Sequence, residues 1–147
     1  MIKIFTDGSS RGNPGPGGYG VVMLYKGNRK ELSQGYKITT NNRMELTAVI
    51  KALEAIKTNN IKVTIYSDSK YVVESIEKGW IWNWEKKNFK KKRNIDLWKQ
   101  FIPIYKKFII KFVWVKGHAG IKENERCDEL ANLAQSSNLI NDTGYKV

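Results

Sequence analysis

Cysteine is almost missing from this chain. Cys127 stands alone among 147 residues, so no internal disulfide can form, and a reducing compartment, the cytoplasm, is the expected setting. Histidine also occurs once, at position 118, and proline three times. No apolar run approaches the roughly 20 residues that a membrane-spanning helix needs. The opening stretch MIKIFTDGSS lacks the apolar core of a signal peptide. Acidic residues are scarce as well: 14 Asp and Glu face 26 Lys and Arg, a formal net charge of +12. Together these shortages exclude a disulfide-stapled scaffold and a helical membrane protein. They leave a soluble, basic, cytoplasmic protein as the expectation. Hydrophobic content of 41% and charged content of 27% suit a globular fold rather than a disordered chain. The length fits a single domain over residues 1–147, without internal repeat. A monomer with no obligate protein partner and no membrane association is expected.

The positive charge is mostly lysine. A coding bias toward A/T-rich codons accounts for part of it, but the lysines also cluster. Six of the eight residues from Lys86 to Arg93 are basic, and Trp80, Trp82 and Trp84 directly precede them. A basic run beside aromatics can follow a phosphate backbone and stack on sugars or bases. The alternative is a solvated surface run. Nucleic acid is the partner this clustering favours.

Hydrophobic periodicity gives a coarse order of elements. Residues 2–6 read as a first strand, followed by a Gly/Pro-rich turn from Gly8 to Gly18. Tyr19–Tyr25 and Glu31–Ile38 read as two more strands, with Gly27-Asn28 as a hairpin signal. Leu46, Val49, Ile50, Leu53 and Ile56 recur at helical spacing, and Asn59-Asn60 ends that helix. Ile61–Ser67 is apolar enough for a central strand. Asp68-Ser69 opens a helix through Glu77, which Gly79 ends. Trp80–Lys92 reads as a short helix with a basic loop, and Ile95–Lys107 as a helical segment interrupted by Pro103. Phe108–Val115 is a fifth strand, followed by the loop Lys116–Gly120 and a helix from about Asn124 to Gln135. The polar tail, from about residue 137, is expected to be loosely held. This order predicts an α/β fold: a five-stranded mixed sheet, antiparallel meander plus parallel crossovers, with helices on both faces.

Four acids stand out against the basic background: Asp7, Glu45, Asp68 and Asp128. Each has an ordinary explanation. Asp7-Gly8 is a common turn pair, Asn42 and Glu45 have capping-box spacing, Asp68 can cap a helix, and Asp128 can be a polar residue on an amphipathic helix. Placement argues for more. Asp7 and Asp68 fall at strand C-ends, where α/β sheets bind ligands. Glu45 and Asp128 fall in the first turns of helices. If the first and fourth strands are neighbours, all four can reach one point. Two carboxylates ~4 Å apart repel by about 4 kcal/mol at an effective dielectric of ~20. Mg²⁺, held by oxygen ligands and completed by water and phosphate, removes that repulsion. Two such ions can clamp an in-line displacement at phosphorus, and Mn²⁺ is a plausible substitute.

His118 lies between Gly117 and Gly120 in a loop. A proton carrier or product-release gate suits such a position, since histidine titrates nearest neutrality; an inert surface histidine is the alternative. Asn13, Asn41 and Asn42 are turn and cap residues by type, whose amides can also bond ribose hydroxyls or base edges.

The stretches Thr6-Asp7-Gly8-Ser9, Thr39 through Leu46 (TTNNRMEL), Ser67-Asp68-Ser69, Trp114 through Gly120 (WVKGHAG) and Asn124 through Ala131 (NERCDELA) together resemble the bacterial type 1 ribonuclease H family. They occur in the family's order and span almost the whole chain. The resemblance implies a single-domain ribonuclease H-like fold, without the hybrid-binding domain that some relatives carry. It implies an endonuclease that hydrolyses the RNA strand of RNA–DNA hybrids with Mg²⁺-activated water, leaving 5′-phosphate and 3′-hydroxyl ends. By motif match Asp7, Glu45, Asp68 and Asp128 resemble the family's metal-binding carboxylates, which hold one or two ions. His118 resembles its loop histidine. Asn13, Asn41 and Asn42 resemble positions that test for 2′-hydroxyls, and Thr40 with Asn94 a pocket that grips a DNA-strand phosphate. Trp80 and Trp84, with Lys86, Lys87, Lys90, Lys91 and Lys92, resemble the family's basic handle. Ser10 and Lys70 depart from relatives that carry Cys and Gln there. A strand-transfer nuclease of similar fold and a non-catalytic nucleic-acid-binding module are the competing readings. The first shares the acids but not this set of amide and histidine motifs, and the second is expected to have lost some of the acids.

Overall fold

The computed structural model describes residues 1–146. Its elements are β1 (Ile2–Ser10), β2 (Gly15–Tyr25), β3 (Asn28–Thr39), α1 (Asn41–Glu54), β4 (Lys62–Ser67), α2 (Lys70–Glu77), α3 (Trp80–Lys86), α4 (Ile95–Tyr105), β5 (Ile109–Trp114) and α5 (Lys122–Ala134). The five strands form one sheet in the order β3-β2-β1-β4-β5. β1, β2 and β3 form the antiparallel meander, while β1, β4 and β5 are parallel neighbours. The predicted mixed sheet is therefore present, and the first and fourth strands are adjacent.

Alternation along β1 sends its side chains to two cores. Ile2 and Ile4 join Val21, Ile65, Leu46, Ile50 and Trp98 in the larger core, beneath α1 and α4. Phe5 points the other way and packs with Val22 and Cys127, against α5. α5 lies close on β2 because β2 carries glycine where the two backbones meet. A Cβ at Gly20 would strike the Cys127 carbonyl and come within 2.8 Å of Leu130 Cβ. Cys127 itself is buried, and its thiol donates to the Phe5 carbonyl at 3.1 Å.

Several boundaries differ from the sequence reading. The Gly/Pro stretch 8–18 is largely strand, since Gly8, Ser9 and Ser10 pair with Tyr19, Gly18 and Gly17. Gly-rich strands escape detection because they carry no side-chain alternation. The β2–β3 turn is Lys26-Gly27, one residue before the predicted pair, and both residues have positive φ (48° and 79°), as a tight hairpin turn requires. Pro103 does not interrupt α4, which continues to Tyr105. Its missing N–H falls in the last turn, opposite an exposed Lys99. Thr40, not Asn42, caps α1, and Ser69, not Asp68, caps α2.

The stretch from about residue 137, read as a loosely held tail, makes specific contacts. Ile140 bridges to Tyr36, accepting from Lys37 N at 2.8 Å and donating to Gly35 O at 3.0 Å. Asp142 then pairs with Arg43 at 2.7 Å. The sequence signal failed because the segment is polar, and its anchors include backbone bonds, side-chain hydrogen bonds from Gln34 and Thr39, and an ion pair rather than an apolar stripe.

Candidate metal and nucleic-acid site

The parallel ladder between β1 and β4 ends at the pair Thr6–Ser67. Asp7 and Asp68 are thus the first residues beyond it on adjacent strands, and the register sets them side by side. β1 itself runs on to Ser10, paired only with β2, so Asp7 emerges where the sheet splits. The exit of β4 is fixed from β5: Val115 N donates to Ser67 O and Trp114 Nε1 to Asp68 O, both at 2.9 Å. Glu45, the fifth residue of α1, arrives from above the sheet. Gly8 permits that approach, because a Cβ there would collide with the backbone of Met44 and Glu45.

Carboxylate oxygens of Asp7, Glu45 and Asp68 consequently lie within 4.8 Å of one another. No capping duty occupies Glu45 or Asp68, since Thr40 and Ser69 accept the first free N–H groups of α1 and α2. Burial, and then the neighbouring charge of Asp68, push the Asp7 carboxyl up to about 7, against which the Gly8 N–H bond at 2.9 Å works only weakly. Burial and the charges of Asp7 and Asp68 push Glu45 well above its ordinary value. Among the described residues, Glu45 Oε1 is buried without a hydrogen-bond partner, as are Thr6 Oγ1 and Asn124 Oδ1. A buried acceptor left without a donor costs about 1–3 kcal/mol, and a cation is the ligand that three converging carboxylates and spare oxygens would satisfy.

Asp128, the seventh residue of α5, is not in the group of three. It lines the same cleft of about 210 Å³ as Asp7 and Asp68. His118 lines this cleft too, with a positive φ of 55°. Its loop passes close to the carboxylates, for a Cβ on Gly117 would sit 3.0 Å from Asp68 Oδ2. Thr6, Asn124 and Glu125 also line the cleft and were not singled out from sequence. For Asn124 and Glu125 a signal existed: they precede Asp128 by four and three residues, the spacing that shares a helix face.

The amide residues gather at the α1 N-terminus. Asn13 Oδ1 accepts from Asn41 N at 3.1 Å, and Asn41 Oδ1 accepts from Ser10 N at 2.7 Å. Asn13, Thr40, Asn42 and Asn94 line a second, larger groove of about 660 Å³. The tryptophans and lysines expected to form a handle differ in their surroundings. Trp80 is 43% exposed, with Lys78 Nζ 5.2 Å from its ring. Trp84 is half-buried, edge-on to Trp98, with Lys92 Nζ 4.9 Å from its ring. Lys86, Lys87, Lys90, Lys91 and Lys92 are all exposed. Buried Phe89 pins their loop to the core.

The sequence and the architecture have known counterparts. The family model described as RNase H matches residues 1–136. A curated ribonuclease H from Salmonella arizonae is 53% identical over 99% of this chain and 96% of its own length, and one from Salmonella newport matches equally. Among solved structures, LC9-RNase H1, a type 1 RNase H with the type 2 active-site motif, superposes with a TM-score of 0.81 at 32% identity, covering 91% of this chain and 71% of that one. LC11-RNase H1, in complex with RNA/DNA hybrid, gives 0.69 at 32% identity over 91% of this chain and 96% of that one. A converging set of carboxylates at the split of a β3-β2-β1-β4-β5 sheet, a full-length match at more than half identity and the shared fold lead to one conclusion: the chain belongs to the ribonuclease H family, hydrolases that cut the RNA strand of RNA–DNA hybrids.

Proposed function

We propose that Asp7, Glu45 and Asp68, with Asp128 in the same cleft, hold one or two Mg²⁺ ions for this hydrolysis, with Mn²⁺ able to substitute. The observation that carries the reading is the convergence of three carboxylates, two of them pushed up in pKa, beside a buried Glu45 oxygen with no donor. Bound Mg²⁺ supplies Lewis-acid activation of water and neutralisation of charge at the phosphorus. The protein's own share is positional. Gly8 and the Thr6–Ser67 register set the spacing of the carboxylates. Asp7 uses Oδ1 on the Gly8 N–H and keeps its other oxygen for a ligand. His118, which lines the cleft, is proposed to carry a proton to the departing 3′-oxygen or to ease product release.

Asn13, Asn41 and Asn42 are proposed to read the minor groove of the hybrid, where 2′-hydroxyls separate RNA from DNA. Thr40 and Asn94 are proposed to grip a phosphate of the DNA strand. Trp80, Trp84 and the lysines from Lys86 to Lys92 form the handle that lies along the duplex. Ribose on one strand and deoxyribose on the other together select the hybrid. The enzyme is proposed to act as a single catalytic domain and a monomer in the cytoplasm, a compartment that suits one buried, unpaired cysteine.

The test is an assay with labelled RNA–DNA hybrid, duplex RNA and duplex DNA, each with Mg²⁺, Mn²⁺ or EDTA. Only the RNA strand of the hybrid is expected to be cut, giving 5′-phosphate ends, with no cutting in EDTA. Asp7→Asn is expected to lower kcat/KM at least about 100-fold, since removing even an outer partner of a metal ligand costs about 10–100-fold. Cutting of duplex DNA, or full activity in EDTA, would overturn the proposal.

A further inference from the structure

Arg43 is among the most buried large side chains of the protein, at 2% exposure. A buried guanidinium demands carboxylate partners, and it has two. Its Nη1 and Nη2 donate to Asp96 at 2.9 and 2.7 Å, and its Nε and Nη2 donate to Asp142 at 2.7 and 2.9 Å. Asp96 opens α4. Asp142 belongs to the C-terminal segment, where Thr39 Oγ1 also donates to it at 2.7 Å. That segment is shaped to fit. A side chain at Gly144 would collide with Asp96, and the Tyr145 ring lies 5.8 Å from the Arg43 guanidinium carbon.

Arg43 also touches both Thr40 and Asn94. Its backbone N–H donates to Thr40 Oγ1 at 3.2 Å, and its Nη1 makes a long contact of 3.4 Å with Asn94 Oδ1. Asn94 is unusual in its own right. It precedes α4 with φ 59° and ψ 32°, and its side chain does not cap the helix, although Asn is among the best capping residues. Its amide is committed elsewhere: Oδ1 faces Arg43, and Nδ2 donates to Tyr71 Oη at 3.1 Å. Tyr71 Oη accepts a second bond, at 2.9 Å, from Trp98 Nε1. Arg43 has only donors, so the Asn94 atom that faces it is the oxygen, and Nδ2 is the atom left to donate. The NH₂ has two N–H bonds and spends one on Tyr71. The other remains for an anion in the groove that Thr40 and Asn94 line.

We propose that Arg43, locked from behind by Asp142 of the C-terminal segment, is a positioning residue for the phosphate grip. Its side chain faces the Asn94 oxygen, which leaves the Asn94 NH₂ as the donor beside Thr40 for a phosphate of the DNA strand. This rests on the reading of Thr40 and Asn94 as that grip. The segment around Asp142 is then part of the substrate site, and Asp142 acts on binding without touching nucleic acid.

A binding cycle in EDTA, where no cleavage occurs, tests this on the full-length protein. The hybrids carry one uncharged methylphosphonate linkage, moved stepwise along the DNA strand. Kd is read by fluorescence anisotropy at low salt. For the wild type, one position is expected to weaken binding roughly tenfold, about the worth of one charge-assisted hydrogen bond. Asp142→Asn is expected to weaken binding of the all-phosphate hybrid to a similar extent and to erase most of the penalty at that one position. Arg43→Lys keeps a cation between the two carboxylates, and so protects folding, but removes the nitrogen that faces Asn94; it is expected to behave the same way. A variant that binds like the wild type, or binds weakly yet retains the full positional penalty, overturns the proposal. So does a wild type with no penalty at any DNA-strand position. Cleavage of the unmodified hybrid in Mg²⁺, run in parallel, reports on the catalytic reading independently, because the cycle never depends on turnover.

Discussion

Asp7 is where the chemistry of the site sets itself against folding. Its carboxyl is pushed up to about 7 by burial and by the nearby charge of Asp68, from an ordinary 3.8. A carboxyl raised in the folded state binds its proton more tightly there than in the unfolded chain. Its contribution to stability is therefore fully present below about pH 4 and is lost as pH rises through about 7. Without divalent metal, Asp7→Asn removes this loss. Its melting temperature relative to wild type is expected to rise between pH 5 and pH 8 by at least about 3 °C, which about 1 kcal/mol produces in a chain of this length. Mg²⁺ is expected to raise the wild-type melting temperature more at pH 8 than at pH 5, and to do little for Asp7→Asn. Thermal melts of both proteins with EDTA and with Mg²⁺ decide it; a difference that stays flat from pH 5 to 8 shows that the carboxyl is not raised. The same residue shows what a sequence can and cannot disclose. Its closeness to Asp68 was legible, but the strand does not end there: β1 runs on to Ser10, and only its parallel pairing with β4 stops at Thr6. The degree of burial was not legible, because it depends on α1 closing over β1.

That closure is a property of elements, and glycine controls it at two points. Gly8 lets α1 bring Glu45 down to Asp7, and Gly20 lets α5 bring Asp128 toward the cleft. Along the chain, Gly8 has the look of a turn and Gly20 of an ordinary strand residue. Their partners lie in helices that begin at Asn41 and Lys122, too distant for any local pattern to reveal. Helical spacing did reveal the apolar stripe of α1, and β-branched content revealed β4, because those signals are carried by the segments themselves. Gly20→Ala would push a methyl group into the Cys127 carbonyl. We expect a destabilisation of about 1–3 kcal/mol, the usual penalty for overpacking. Because α5 must shift outward, cleavage is expected to fall even at temperatures where the variant is fully folded. Calorimetry with rate measurements well below the melting point checks both; unchanged stability would mean that α5 is not held at this contact.

Across the whole molecule, charge is divided by region. Three carboxylates gather where the β1–β4 pairing ends, while the lysines from Lys86 to Lys92 stand exposed at the end of α3 and on the loop after it. The order of elements was readable, and so were the three carboxylates that converge, because both are linear features. The Arg43 network was not, since its carboxylates lie 53 and 99 residues further along the chain and only the fold brings them together. For the lysine run the question is whether it touches phosphate or merely adds to a net charge of +12. Removing a single lysine–phosphate pairing should reduce the slope of log K against log[salt] by up to about 0.9. Lys90, Lys91 and Lys92 are exposed, with Lys92 over the Trp84 ring, and buried Phe89 anchors their loop, so replacing all three by Ala should leave the fold intact. The comparison that isolates phosphate pairing from bulk charge is a second triple replacement, Lys3, Lys57 and Lys62 to Ala. These are exposed residues toward the opposite end of the parallel strands, and the change removes the same formal charge. The handle variant is expected to weaken hybrid binding and to flatten the salt slope by the equivalent of at least one phosphate pairing. The control variant is expected to leave the slope near that of wild type. Equal flattening in both would reduce the run to its share of the net charge, because only a residue that displaces counterions at the duplex can alter the slope by its position.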